Sequence, residues 1–521
     1  MFLNIDKHPA TSVAAIDDRG YQVTYQKLAT ATEQVAAHMM PRAIAFVLCE
    51  NSVGALAAYI GCVHNKTVPL MLNAALDQEL LNSLVQVYTP RYLWVPENKK
   101  EMFSEYTQLL SIYGYVLFET QNEIYPIHEN LSLLLTTSGS TGSPKLVRYK
   151  YGNLEANAKN VSKVFGWTSQ ERGFCDLSMN YTMGMNGINS HLWVGATVVL
   201  VSSNIMSAEY WKTMKEQRCT NLIGVPFSYE VFFKLRLPRM KLPDMYTFAE
   251  GGGKLTDKMF VDMVDYAEAN GKRFIATFGT TETSARLAFL PPEEARTHCG
   301  SIGKAIPEGK LALLDDDGNE ITEMEAEGEL VYEGPNVTMG YATTREELTL
   351  GDVFQGRYAT GDIARRDAEG FYYIIGRKGR FLKLLGYRVS LDQSERLVKS
   401  EFGIDCACTG TDEAMVVYIT DPAKCEVVAG FLADKISGSA KKYLEVIIDL
   451  LTFAFAGVVM VYGGISITKL TMIQTTASLR VPMGYIYVIV PVTGIIIMMF
   501  SLMNAADMLH TDFGKKEDAG V

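Results

Sequence analysis

An apolar run, Leu133-Leu134-Leu135, feeds a stretch made almost wholly of Gly, Ser and Thr: Thr136-Thr137-Ser138-Gly139-Ser140-Thr141-Gly142-Ser143-Pro144-Lys145. The run suits a buried strand, and the loop that leaves it constrains the fold more than any other stretch. Glycines allow a backbone to approach a ligand closely, and successive amides and hydroxyls then ring a phosphate. Lys145 adds a positive charge at the far end. The spacing is not Gly-x-x-x-x-Gly-Lys-Ser/Thr, because Pro144 separates the last glycine segment from the lysine. A flexible Gly/Ser linker has the same composition, but a linker is not expected between a strand and an amphipathic stretch.

On both sides of the loop, strands alternate with helices. Tyr25–His38 reads as a helix, Ala43–Cys49 as a buried strand, Ser52–His64 as a helix and Val68–Leu72 as a strand. Gly195–Val201 and Asn221–Phe227 read as strands, the second ending in a Pro-bearing turn. This rhythm predicts the α/β class with parallel sheets. Residues 300–360 turn β-rich around the Asp315–Asn319 turn, which predicts a β-rich subdomain. Apolar residues at 48% allow an ample core, and a net charge of −11 with no basic block excludes a general nucleic-acid binder. The eight cysteines lack metal-ligand spacing and the seven histidines form no His-Glu-x-x-His cluster, so no zinc site is expected and the thiols read as reduced. Met1–Ser12 has no long apolar core and is not a signal peptide.

Two glycine-centred sites follow the loop. Ala249-Glu250-Gly251-Gly252-Gly253-Lys254 ends a strand, where open α/β sheets place ligands, and Phe274–Glu282 is a strand running into a polar turn that ends in a carboxylate. Farther on come Thr360-Gly361-Asp362 and Gly376-Arg377. In order and spacing these segments resemble the adenylate-forming superfamily of acyl-CoA synthetases, peptide-synthetase adenylation domains and luciferases. The resemblance covers residues 1–435.

The resemblance implies a carboxylic-acid substrate, ATP with Mg²⁺, and coenzyme A or a phosphopantetheinyl carrier protein as acceptor. It puts Thr137, Ser138, Gly139, Ser140, Thr141, Gly142 and Lys145 on the phosphates. Gly251, Gly252, Gly253, Phe278 and Gly279 would border the adenine, and Thr280 and Thr281 would reach the α-phosphate. Glu282 would hold the metal, and Asp362 and Arg377 the ribose. Lys145, Thr281 and Glu282 are thus the expected catalytic residues. Asn180, Tyr181, Met183, Gly184 and Glu250 would line the acid pocket. Because Asn180, Tyr181 and Thr182 carry no charge, a small or medium uncharged acid is expected rather than an amino acid.

The expected organisation is an AMP-binding domain over 1–362, a truncated small α+β domain over 363–437, a two-helix transmembrane hairpin over 438–510, and a polar tail over 511–521. Gly379 stands at the superfamily's hinge position. The superfamily's closing Pro-Arg-x-x-x-Gly-Lys, whose lysine spans acid and phosphate, has no counterpart after residue 435. Instead come two apolar stretches, 446–467 and 481–503, each about the length that spans a bilayer. This tail resembles the last two spans of the small membrane subunit of TRAP-type transporters, which would make a large permease subunit its partner. Lys441, Lys442, Lys515 and Lys516 suit two cytoplasmic ends, and the resemblance implies an inner-membrane, two-pass protein with its ligase in the cytosol. Three further readings stay open: a transporter subunit carrying a ligase-derived domain, a degenerate nucleotide-binding protein with no turnover, and two reading frames joined into one.

Overall fold

In a computed structural model, the described residues are 1–136, 145–384, 387–411, 414–425, 427–429, 431–432, 453, 455–472 and 484–510. They fall into two compact units, Met1–Phe381 and Leu382–Val521.

The first unit carries three sheets. In the nine-stranded one, Val13–Asp17, Thr197–Leu200, Arg172–Cys175, Asn221–Gly224, Thr247–Glu250 and Arg273–Phe278 run parallel in that spatial order, with antiparallel strands at both edges. In the eight-stranded one, Leu131–Thr136, Val68–Asn73, Ile44–Cys49 and Tyr92–Pro96 form the parallel centre. Their apolar runs are buried on both faces, as parallel strands covered by helices require. The expected helices form as Tyr25–Ala37 and Val53–Asn65, capped by the Thr24 and Ser52 hydroxyls. Asn221–Phe227 is corrected: the strand stops at Gly224 and Pro226 opens a helix, where its missing N–H costs nothing.

The third sheet is the expected β-rich subdomain, five antiparallel strands that include Arg357–Arg366 and Tyr372–Arg377. These two strands pair across residue 362, and the first unit ends at Phe381, just after Gly379.

In the second unit, Leu391–Phe402 is a helix, and Cys406–Thr411 pairs with Ala414–Ile419. The helix expected near Glu426–Lys435 and the polar tail 511–521 lie largely or wholly outside the described residues. The apolar stretches depart from two continuous spans. Residues 446–452 lie outside the described residues, and a π-helical turn run, Ala456–Gly463, leads into an α-helix, Gly464–Thr471. The second stretch is divided at Val488 into Gly484–Tyr487 and Ile489–His510. Pro491 explains the break, since it offers no N–H to the Tyr487 carbonyl one turn earlier. Among the described residues no helix is long and apolar enough to cross a membrane.

Candidate active site

The loop that opened the sequence reading is bounded by a hairpin. Leu131–Thr136 and Leu146–Lys150 pair antiparallel, with Thr136 opposite Leu146. The expected phosphate residues Thr137, Ser138, Gly139, Ser140, Thr141 and Gly142 lie outside the described residues. Lys145, at the foot of the hairpin, is described. Its ammonium stands 3.4 Å from the centre of the Tyr341 ring, a cation–π contact.

Lys145 borders a cleft of about 470 Å³ in the first unit. The parallel strands Thr247–Glu250 and Arg273–Phe278 end at this cleft, the position where such sheets hold ligands. Gly252 and Gly253 line it from the first strand, and Phe278, Gly279, Thr280, Thr281 and Glu282 from the second. Asp362 and Arg377 close another side of it: they are directly opposed in the antiparallel pair, with Arg377 Nε 3.0 Å from Asp362 Oδ1. Gly251 packs beneath, where an added Cβ would lie 2.6 Å from Thr277 Oγ1.

The turn bearing Glu282 is pinned from several sides. The Tyr149 hydroxyl donates to the Thr281 carbonyl at 2.6 Å, and the Thr338 amide to the Glu282 carbonyl at 2.9 Å. The Tyr341 hydroxyl donates to Glu282 Oε1 at 2.7 Å and stands 3.3 Å from the Tyr358 hydroxyl. Burial, then the Glu282 charge, keep both phenols protonated and push Tyr358 up to about 12. Tyr341 therefore acts as a donor holding the carboxylate at the cleft wall. Among the described residues no group of three His, Cys, Asp or Glu gathers as a metal cage. That donor set fits Mg²⁺, which takes one or two carboxylates and fills its remaining positions with water and substrate phosphate.

Of the residues expected around the acid, Tyr181 and Met183 line the cleft, and Asn180, Gly184 and Glu250 do not. Asn180 is turned back to accept from the Ser178 hydroxyl. Gly184 is a packing glycine, since a Cβ there would meet the Ser178 carbonyl oxygen at 2.3 Å. Glu250 is buried at the last position of its strand, before the glycine turn that lines the cleft. Sequence reasoning missed Tyr341, Tyr358 and Thr360, which also line the cleft, and the buried Arg286. Only Arg286 left a signal, as a lone cation entering the run Leu287-Ala-Phe-Leu.

Asp176, beside a small cavity behind Met183, accepts from the Tyr210 hydroxyl at 2.8 Å, and burial pushes its carboxyl up to about 6. The folded state therefore holds this proton more tightly than the unfolded chain does. Stability falls as pH rises from about 4 to 6, and above that the group costs on the order of 3 kcal/mol. Asp176→Asn should raise the Tm above pH 6, with the gain fading toward pH 4. Thermal unfolding across that range checks this, and a gain that grows on acidification would contradict it.

Known proteins bear on this geometry. The chain is 30% identical over 264 residues to an oxalate–CoA ligase of Arabidopsis thaliana, covering 50% of each chain. It is 28% identical over 311 residues to a 2-succinylbenzoate–CoA ligase of Bacillus anthracis, covering 60% of this chain and 61% of that one. The chain thus spans half to three-fifths of the length of these relatives. Among solved structures, the o-succinylbenzoate–CoA synthetase of Bacillus subtilis in complex with its acyl-adenylate superposes with a TM-score of 0.69 at 20% identity, over 84% of this chain and 91% of that one. The same synthetase with ATP and magnesium gives 0.65 at 22% identity, over 80% and 87%. These likenesses establish the fold. Residues 426–511 match a second family model, the DctQ component of tripartite ATP-independent periplasmic transporters. Residues 2–342 match the model of the AMP-binding enzymes, and by that match over most of its length the chain belongs to the AMP-binding enzyme family.

Proposed function

We propose that this chain is an ATP-dependent carboxylate ligase that forms an acyl-adenylate and passes the acyl group to a thiol. The observation that carries the reading is the convergence on one cleft of Lys145, the Thr280–Glu282 turn and the Asp362–Arg377 pair, drawn from separate stretches of the chain. A carboxylate oxygen of the acid attacks the α-phosphorus of ATP, the bond to the bridging oxygen breaks, and pyrophosphate leaves. A thiolate, from coenzyme A or a carrier protein's phosphopantetheine, then displaces AMP. The protein's part is positioning and charge stabilisation. Asp362 accepts from ribose hydroxyls, Thr280 and Thr281 orient the α-phosphate, and Lys145 offsets phosphate charge. Glu282, with the Tyr341 hydroxyl fixing one of its oxygens, would hold Mg²⁺, which when bound supplies electrophilic neutralisation of the phosphates. The acids in the names of the two relatives, oxalate and 2-succinylbenzoate, each bear two carboxylates.

The match over 426–511 supports membrane association, with a large permease subunit as the partner it suggests, and use of ATP puts the nucleotide cleft on the cytosolic side. The adenylating lysine motif has no counterpart after residue 435, so adenylation should be slow and binding retained. The test uses the full chain, extracted with detergent from the membrane fraction. It should bind AMP and a non-hydrolysable acyl-sulfamoyl adenosine, while carboxylate-dependent ATP–pyrophosphate exchange stays about a hundredfold below an ordinary ligase rate. No binding of either ligand would overturn the reading, and exchange at an ordinary rate would remove the claim of slow adenylation.

A further inference from the structure

Glu250 and Arg286 sit immediately beside residues of the cleft's acid end. Arg286 follows Ala285, a cleft residue, and Glu250 ends the strand that leads into Gly251 and the cleft residue Gly252. The guanidinium is wholly buried. Its Nη1 donates to Asn186 Oδ1, and Asn186 is held in turn by Asn157, 2.5 Å away. The Phe165 ring lies beneath, its centre 5.3 Å from the guanidinium carbon.

What the protein leaves undone is specific. Among the described residues Arg286 Nε and Nη2 have no hydrogen-bond partner, nor does Glu250 Oε1, although all three are buried. Nε and Nη2 share one edge of the guanidinium, the edge that receives the two oxygens of a carboxylate side by side. A buried donor pair left open costs stability unless something fills it. The residue adjoins the cleft wall: a Cβ on the cleft residue Gly279 would stand 2.8 Å from the Arg286 Cα. Burial holds the Glu250 carboxyl well above the usual range while Arg286, lowered only to about 10, keeps its charge, so the spot is cationic at neutral pH.

We propose that the open edge of Arg286 receives a second carboxylate at the far end of the acid, so that the ligase acts on dicarboxylic acids. This rests on the ligase reading above and replaces the expectation of an uncharged acid. That expectation followed from Asn180–Thr182 alone, whereas the cation arrives from a different strand.

The test compares matched acyl-sulfamoyl adenosines that differ only at the terminal group: succinyl against butyryl, and adipoyl against hexanoyl. Binding to the full chain in detergent is measured by calorimetry. The expected result is a preference of about tenfold or more for the dicarboxylate member of at least one pair, as a charge-assisted bidentate contact gives. Arg286→Gln should collapse the preference to near unity, and Arg286→Lys, with charge but no fork, should keep only part of it. Equal affinities within both pairs would overturn the subsite while leaving the ligase reading intact. A preference that survives Arg286→Gln would overturn the assignment to Arg286. If no adenylate analogue binds, the ligase reading fails and the subsite with it. The wild-type comparison decides the matter even where a variant does not fold.

Discussion

Replacing Arg148 by methionine should lower the unfolding free energy of the first unit by on the order of 5 kcal/mol and weaken nucleotide binding at the same time. Arg148 is wholly buried in the Leu146–Lys150 strand. Its Nε donates to the Tyr341 carbonyl at 2.9 Å, its Nη2 to the Met339 and Gly351 carbonyls at 3.1 Å each, and its Nη1 to the Leu350 carbonyl. Methionine fills much of the volume but donates nothing, so four carbonyls lose this donor, the Met339 carbonyl keeping the Val353 amide. Removing one side of buried charged hydrogen bonds forfeits the full desolvation cost of the other side. The functional consequence follows from where those carbonyls lie. They belong to the segment carrying Tyr341, the residue that holds Glu282 and faces Lys145. Arg148→Lys should recover only part of the loss, because an ammonium cannot reproduce the planar fork. Chemical denaturation followed by AMP titration measures both effects. A stability loss under about 1 kcal/mol would show that the segment is held by its other contacts.

Arg148 also shows what a sequence does and does not display. The parallel strands were legible because strands buried on both faces must be continuous apolar runs, as Ile44–Cys49 and Val68–Asn73 are. Helix starts were legible where a hydroxyl caps them, as Ser52 does. The residues at the cleft's floor were legible because strand ends and glycines mark them. Arg148 meets its partners about 190 to 200 positions away, and no local period records such a meeting. Arg286 reaches Asn186 across 100 positions for the same reason. The misplacement of Glu250 has a different origin: Glu250 and Gly252 belong to one short motif, yet Glu250 still ends the buried strand whereas Gly252, at a φ of 79°, lies past it where the chain turns along the cleft. In the tail, mean apolarity suggested one uninterrupted helix over 481–503. A single imino acid, Pro491, outweighs it locally, because a hydrogen-bond ladder depends on each N–H in turn.

Gly279→Ala should abolish measurable nucleotide binding and cost about 3 kcal/mol or more of stability. Gly279 leaves the strand Arg273–Phe278 and begins the turn that presents Thr280, Thr281 and Glu282. That turn closes on itself: the Ala285 amide donates to the Thr280 carbonyl at 3.1 Å, and the Leu287 amide to the Phe278 carbonyl at 2.9 Å. Closure brings the Ala285 backbone so near that a Cβ on residue 279 would lie 1.4 Å from the Ala285 carbonyl oxygen. The obstacle is backbone, so no side-chain rotation relieves it and the turn itself must open. Opening moves Ala285 and Glu282, both cleft residues, apart. Gly318→Ala is the matching control. Gly318 has a φ of 85° in the Asp315–Asn319 turn, with nothing within 4 Å of an added Cβ. There alanine meets only the conformational cost of the left-handed region, about 1 kcal/mol, and AMP affinity should hold. If both variants bind AMP like the parent chain, the turn at 279–285 is compliant, and the rigidity argued for Glu282 has to come from Tyr341 and Thr338 alone.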